Sequence, residues 1–134
     1  MKTTTGLGFH HIGLKCADLK RSEEFYRALG LREVLRWGEG DKEIVMLELG
    51  DGGRIELFAN GGDEFSVKGK WVHFAMASDN VDGMYERALA AGAESLIPPK
   101  TVPLDSKPEQ VSIHIAFVKG PDGEEIEFFQ QVTE

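Results

Sequence analysis

Four residues of this chain have the types and spacing to share a metal ion: His11, Glu56, His73 and Glu127. Two imidazoles and two carboxylates form a mixed nitrogen and oxygen donor set, suited to a divalent ion such as Ni²⁺, Zn²⁺ or Co²⁺. With four protein ligands, a six-coordinate ion keeps two positions for water or for adjacent substrate oxygens. Chelation of an α-hydroxycarbonyl there would acidify its carbon-bound proton, because the ion stabilises the enediolate that results. A carboxylate beside the substrate would then move that proton between neighbouring carbons.

The elements that must position these residues are written twice. The copies read FHHIGLKCADLKRSEEFYRALG and WVHFAMASDNVDGMYERALAAG, and an offset of 62 carries His11 onto His73, Leu19 onto Val81 and Gly30 onto Gly92 without a gap. Each copy ends in a strand with a central glutamate, RIELF or EIEFF. In the first copy the pattern predicts a strand within 8–16, then a helix capped by Asp18 with Leu19, Ser22, Phe25, Tyr26 and Leu29 as its buried stripe. Gly30 stops that helix, and strands follow at about 31–37, 43–49 and 54–58. The second copy predicts a strand over 71–77 and a helix capped by Asn80 or Asp79 that ends at Gly92. A short strand follows at 94–97, and a hairpin of 112–119 with 124–131 closes the copy. The second copy carries about nine extra residues between Gly92 and Glu127, which are assigned to a loop spanning Pro98–Pro108.

Strand parity argues that the four residues converge. Side chains of like parity share a face of a strand. Each of the four lies opposite its strand's aliphatic row: Ile12 and Leu14, Ile55 and Leu57, Val72, Phe74 and Met76, or Ile126 and Phe128. If a helix covers each aliphatic row, the opposite faces can line one cavity. His10 has the other parity and is expected to be structural. Cys16 follows the buried parity of its strand and is expected to be structural too. If the last hairpin pairs Gly120 with Gly123, His114 falls opposite Phe129 on the face of Glu127, making it a substrate-facing group or a support for the ligands.

Length and composition set the class. The 134 residues suffice for one domain, expected to comprise a module at about 7–60 and another at about 71–132, joined by a linker within 59–70. Hydrophobic residues are 41% and charged residues 28%, ordinary for a globular protein. A net charge of −8 with no basic stripe argues against nucleic acid as a partner. The start lacks a signal peptide's apolar run, no stretch nears the roughly 20 apolar residues of a membrane span, and the single cysteine fits a reducing cytoplasm.

These motifs, with IAFVKGPDGEEIEFF and its GPDG turn, resemble the vicinal oxygen chelate superfamily over nearly the whole chain. The resemblance implies an α+β fold of two βαβββ modules, with a curved mixed sheet around a metal cavity. The His/Glu/His/Glu set is most similar to the glyoxalase I branch. That implies a metal-dependent lyase/isomerase acting on the hemithioacetal of a 2-oxoaldehyde and a thiol, with His11, Glu56, His73 and Glu127 as ligands and Glu56 and Glu127 as acid and base. It also implies a small-molecule substrate and a homodimer, with each site built from one chain or from two. Asn60 matches an asparagine that contacts glutathione in that branch. Lys15 stands where the branch generally has a glutathione-binding arginine; it keeps the charge without the planar fork. The alternatives are a methylmalonyl-CoA-epimerase-like or other enolising enzyme, or a non-catalytic resistance protein that sequesters a small molecule.

Overall fold

The two helices start and stop by the same local rules. Asp18 is extended, and its carboxylate accepts a hydrogen bond from the Arg21 N–H at 3.1 Å; Asn80 accepts one from the Gly83 N–H at 3.0 Å. At the other end, the Leu31 N–H reaches back to the Tyr26 carbonyl and the Gly30 N–H to that of Arg27. Ala93 with Ala88, and Gly92 with Leu89, repeat that pair of bonds. Gly30 and Gly92, at φ 112° and 106°, take the left-handed turn that this ending requires.

In a computed structural model, which describes residues 9–62, 73–104, 106 and 110–132, these helices are Leu19–Ala28 (α1) and Val81–Ala90 (α2). The strands are His11–Lys15 (β1), Arg32–Trp37 (β2), Ile44–Glu48 (β3), Arg54–Phe58 (β4), Phe74–Ala77 (β5), Glu94–Leu104 (β6), Val111–Lys119 (β7) and Glu125–Val132 (β8). A short 3₁₀ turn, Gly40–Lys42, links β2 to β3. The chain divides into two compact units, Met1–Asp63 and Glu64–Glu134. Positions 71 and 72 of the expected fifth strand, and most of the expected linker, lie outside the described residues.

Each unit is a β-α-β-β-β module with its own four-stranded mixed sheet, ordered β1-β4-β3-β2 in one and β5-β8-β7-β6 in the other. The expected α+β fold of two βαβββ modules is the one observed, each module with its own mixed sheet. In each unit the first strand runs parallel to the last, and the remaining pairs are antiparallel.

The cores follow the parities read from the sequence. Ile55 and Leu57 are buried with Val45, Leu47, Phe25, Tyr26 and Leu29 in the first unit. Ile126 and Phe128 are buried with Ala116, Val118, Met76, Val81, Tyr85 and Ala88 in the second. The Tyr85 hydroxyl donates to the Ser95 hydroxyl at 2.7 Å, so this large side chain is buried with its polar end bonded. Cys16 is fully buried, as its parity predicted.

The expected loop at Pro98–Pro108 is corrected over its first half. Residues 98–104 continue β6, pairing Lys100 with Ile115, Thr101 with His114 and Pro103 with Ser112. Proline lacks the N–H that a central strand needs on both sides, but β6 is an edge strand, where that loss is tolerated. Two register shifts, between Ser95 and Ile97 and between Ile97 and Lys100, absorb the Pro98-Pro99 pair. Positions 105 and 107–109 lie outside the described residues.

Candidate functional site

Glu56 is carried by the middle of β4, between Ile55 and Leu57, so burying those two side chains turns it to the opposite face. The parallel register with β1 sets His11 beside Arg54, Gly13 beside Glu56 and Lys15 beside Phe58. On the other side of β4, Met46 of β3 pairs with Glu56. His11 Nε2 lies 3.5 Å from Glu56 Oε1, with the side chains 40% and 14% exposed. The other ring nitrogen of His11, Nδ1, is 2.8 Å from Nδ1 of His10. One ring donates in that bond and the other accepts. It leaves His11 Nε2 turned to the carboxylate.

The second unit repeats the arrangement. Glu127 of β8 pairs with Ala75 of β5 on one side and Phe117 of β7 on the other, the row that Gly13, Glu56 and Met46 form in the first unit. His73 directly precedes β5, and its Nε2 is 2.9 Å from Glu127 Oε1. The His73 ring stands edge-on to Phe117 at a centroid distance of 5.1 Å. Glu127 is buried, and burial pushes its carboxyl above the usual glutamate range, while His73 pulls in the other direction.

The donor chemistry of each pair fits a divalent ion. At metal–ligand bonds of about 2.0–2.2 Å, two adjacent ligands of an octahedral ion stand about 3 Å apart. The two histidine–carboxylate separations, 3.5 Å and 2.9 Å, straddle that value. No group of three or more His, Cys, Asp or Glu is placed to hold a metal ion among the described residues, and each pair stands as a histidine with one carboxylate.

Lys15 and Asn60 come to one end of the first unit's sheet. Asn60 follows β4 in the left-handed conformation, at φ 63°. The next N–H, from Gly61, donates to the Cys16 carbonyl at 2.8 Å. A Cβ on Gly61 would lie 2.8 Å from the Cys16 nitrogen and the Lys15 carbonyl carbon, so only glycine lets the chain close over the end of β1.

The expectation for His114 is corrected. Gly120 N–H bonds to the Glu124 carbonyl, which moves the hairpin register by one: His114 pairs with Gln130, and Ile115 takes the place opposite Phe129. His114 therefore shares a face with Ala116 and Phe128 and lies on the other side of the sheet from Glu127. There its Nε2 meets Asp82 of α2 at 2.9 Å and its Nδ1 meets the Thr101 hydroxyl at 2.8 Å. It ties the helix to β6 and β7.

The sequence reading did not single out Arg54 and gave His10 only a structural part. Arg54 has the parity of Glu56 and is the register partner of His11, and His10 reaches the His11 ring from the opposite parity by a side-chain bond. Parity alone would have found Arg54. Nothing in the sequence signals the contact of His10.

A family model, the Glyoxalase/Bleomycin resistance protein/Dioxygenase superfamily, matches residues 8–128. The chain belongs to this superfamily. It is 33% identical over 127 residues to a protein of Vibrio cholerae named "Probable lactoylglutathione lyase", covering 90% of this chain and 88% of that protein. It is 29% identical over 126 residues to the uncharacterized protein YwbC of Bacillus subtilis, covering 90% and 95%. Among solved structures, a glyoxalase I variant from Zea mays superposes with a TM-score of 0.74 at 25% identity, covering 93% of this chain and 45% of that longer one. The superfamily's fold accounts for the repeated βαβββ order and for the matching rows through Glu56 and Glu127.

Proposed function

We propose that this protein is a metal-dependent lyase/isomerase of glyoxalase I type, acting on the hemithioacetal of a 2-oxoaldehyde and a thiol. The observation that carries the reading is the repeated row: in each unit one histidine nitrogen faces one carboxylate oxygen at 3.5 or 2.9 Å. The relatives named lactoylglutathione lyase support it. One divalent ion, Ni²⁺, Zn²⁺ or Co²⁺, would take His11, Glu56, His73 and Glu127 as ligands, from one chain or from two chains of a homodimer.

When bound, the ion would supply Lewis-acid polarisation of two neighbouring substrate oxygens. The chain's own part is proton transfer. Glu56 and Glu127 are the acid and base that take the proton from one carbon and return it to the next. The raised carboxyl of Glu127 suits a group that must hold a proton during turnover. Phe117 and Phe129 share the face of Glu127, and Phe117 packs edge-on against His73. Lys15 and Asn60 would contact the thiol portion. The single cysteine fits action in the cytoplasm.

The test is consumption of methylglyoxal with added thiol by protein stripped of metal and then loaded with Ni²⁺ or Zn²⁺. Turnover should require the ion and disappear in Glu56→Gln and Glu127→Gln. Tight metal binding without turnover on any thiol would replace this reading with an epimerase or another enolising enzyme. Ligand binding indifferent to metal would replace it with a sequestering protein.

A further inference from the structure

Arg54 stands beside the first His/Glu pair with no carboxylate partner among the described residues. It is two residues from Glu56 on β4, on the same face, and its Cα is the register partner of His11. Its residue is half-buried, and its one described partner is the Met46 sulfur, 3.7 Å from Nη1. A thioether is a weak acceptor and cannot neutralise a guanidinium.

The surroundings make this choice of partner informative. The chain carries 23 acidic residues against 15 basic ones. Other arginines of the first unit find carboxylates: Arg27 and Arg36 share Glu23 and Glu33, and Arg36 also reaches Glu43. Glu48 sits directly across from Arg54 in the β3–β4 register, yet its carboxylate lies 3.6 Å from Arg32. Arg54 has a carboxylate neighbour in the sheet and no carboxylate partner among the described residues. A half-buried guanidinium held this way keeps its planar fork for an incoming anion.

We propose that Arg54 is a specificity residue that binds a carboxylate of the substrate beside His11 and Glu56. It rests on the metal-centred reading above and adds the substrate's charge. The oxygens that reach the ion belong to a molecule bearing a carboxylate on the Arg54 side. Lys15, at the other end of the same face of β1 and beside Phe58, gives a second positive charge on the far side of Glu56. Along the equivalent strand of the second unit, Ala75 and Ala77 stand where the first has Gly13 and Lys15.

Two hydroxamates test this without turnover, since each presents two neighbouring oxygens to a metal. Acetohydroxamate has no carboxylate, and succinic monohydroxamate has one. Their binding to Ni²⁺-loaded protein is measured by calorimetry at low and high salt. The succinyl probe should bind roughly tenfold tighter at low salt, the gain of one charge-assisted hydrogen bond to a half-buried guanidinium. In Arg54→Met the two affinities should converge, while Arg54→Lys should restore part of the difference. Equal affinities in the wild type, or a preference that survives Arg54→Met, would overturn the assignment and leave the metal reading standing. Failure of both probes to bind would overturn the two together.

Discussion

Removing one whole His/Glu pair asks whether the repeated rows make one centre or two. In the single-centre reading, deleting either pair leaves two ligands. His11→Ala with Glu56→Ala deletes the first pair, and His73→Ala with Glu127→Gln deletes the second, the amide keeping the buried shape of Glu127. A ligand that binds only the folded state, at 100 times its Kd, stabilises by about 2.7 kcal/mol. Unfolding entropy of about 2.1 cal/mol/K per residue, over 134 residues, is about 0.28 kcal/mol/K for one cooperative transition. The expected gain in Tm is therefore about 10 °C for stripped wild-type protein given Ni²⁺. Scanning calorimetry with metal analysis reads it. Both double variants should lose nearly the whole shift, and the wild type should hold one ion per four ligands. If each variant kept the part belonging to its intact pair, and the wild type held twice as much metal as either variant, the units would bind ions separately. The single-centre reasoning would then be refuted.

Three further outcomes follow from the contacts around the rows. Because the native Glu127 carboxyl holds its proton more tightly than the unfolded chain does, ionisation withdraws stability as pH rises from the ordinary value of 4.5 through the raised one. Metal-free Glu127→Gln should accordingly be more stable than wild type at neutral pH and equal to it below pH 4, by urea melts across pH; a constant difference would contradict this. His10→Ala should weaken Ni²⁺ binding by about tenfold, the lower end for loss of a ligand's hydrogen-bond partner, and an unchanged chelator competition curve would remove His10 from the site. Arg36→Ala, which breaks contacts with Glu23, Glu33 and Glu43, should cost about 1 kcal/mol at low salt and less in 0.5 M NaCl, since the network is partly exposed.

What could be read in the sequence was what strand alternation and helix punctuation decide. Ile55 and Leu57 had to be buried, so Glu56 had to face the other way, and the same holds for Glu127 between Ile126 and Phe128. Asp18, Asn80, Gly30 and Gly92 set the helix ends by bonds within a few residues. The misses came from pairing between strands. A single extra residue in the turn between β7 and β8 turned His114 from the face of Glu127 to the helix-covered one. The Pro98-Pro99 pair looked like a loop because edge placement, which makes prolines tolerable in a strand, is a property of the whole sheet. Arg54 was visible in RIELF by its parity, but its meaning depends on where the nearby carboxylates are engaged.

The prolines of β6 also bear on how this protein can associate with itself. An open sheet edge is a template on which another chain can build a further strand. Along β6 that template is interrupted at Pro98, Pro99 and Pro103, where the backbone has no hydrogen to offer, and the register shifts twist the ribbon between them. The β6 edge of the second unit's sheet is thus guarded against fibril-like stacking during folding and at high concentration. Replacing these prolines with threonine would preserve strand character while opening that margin to aggregation.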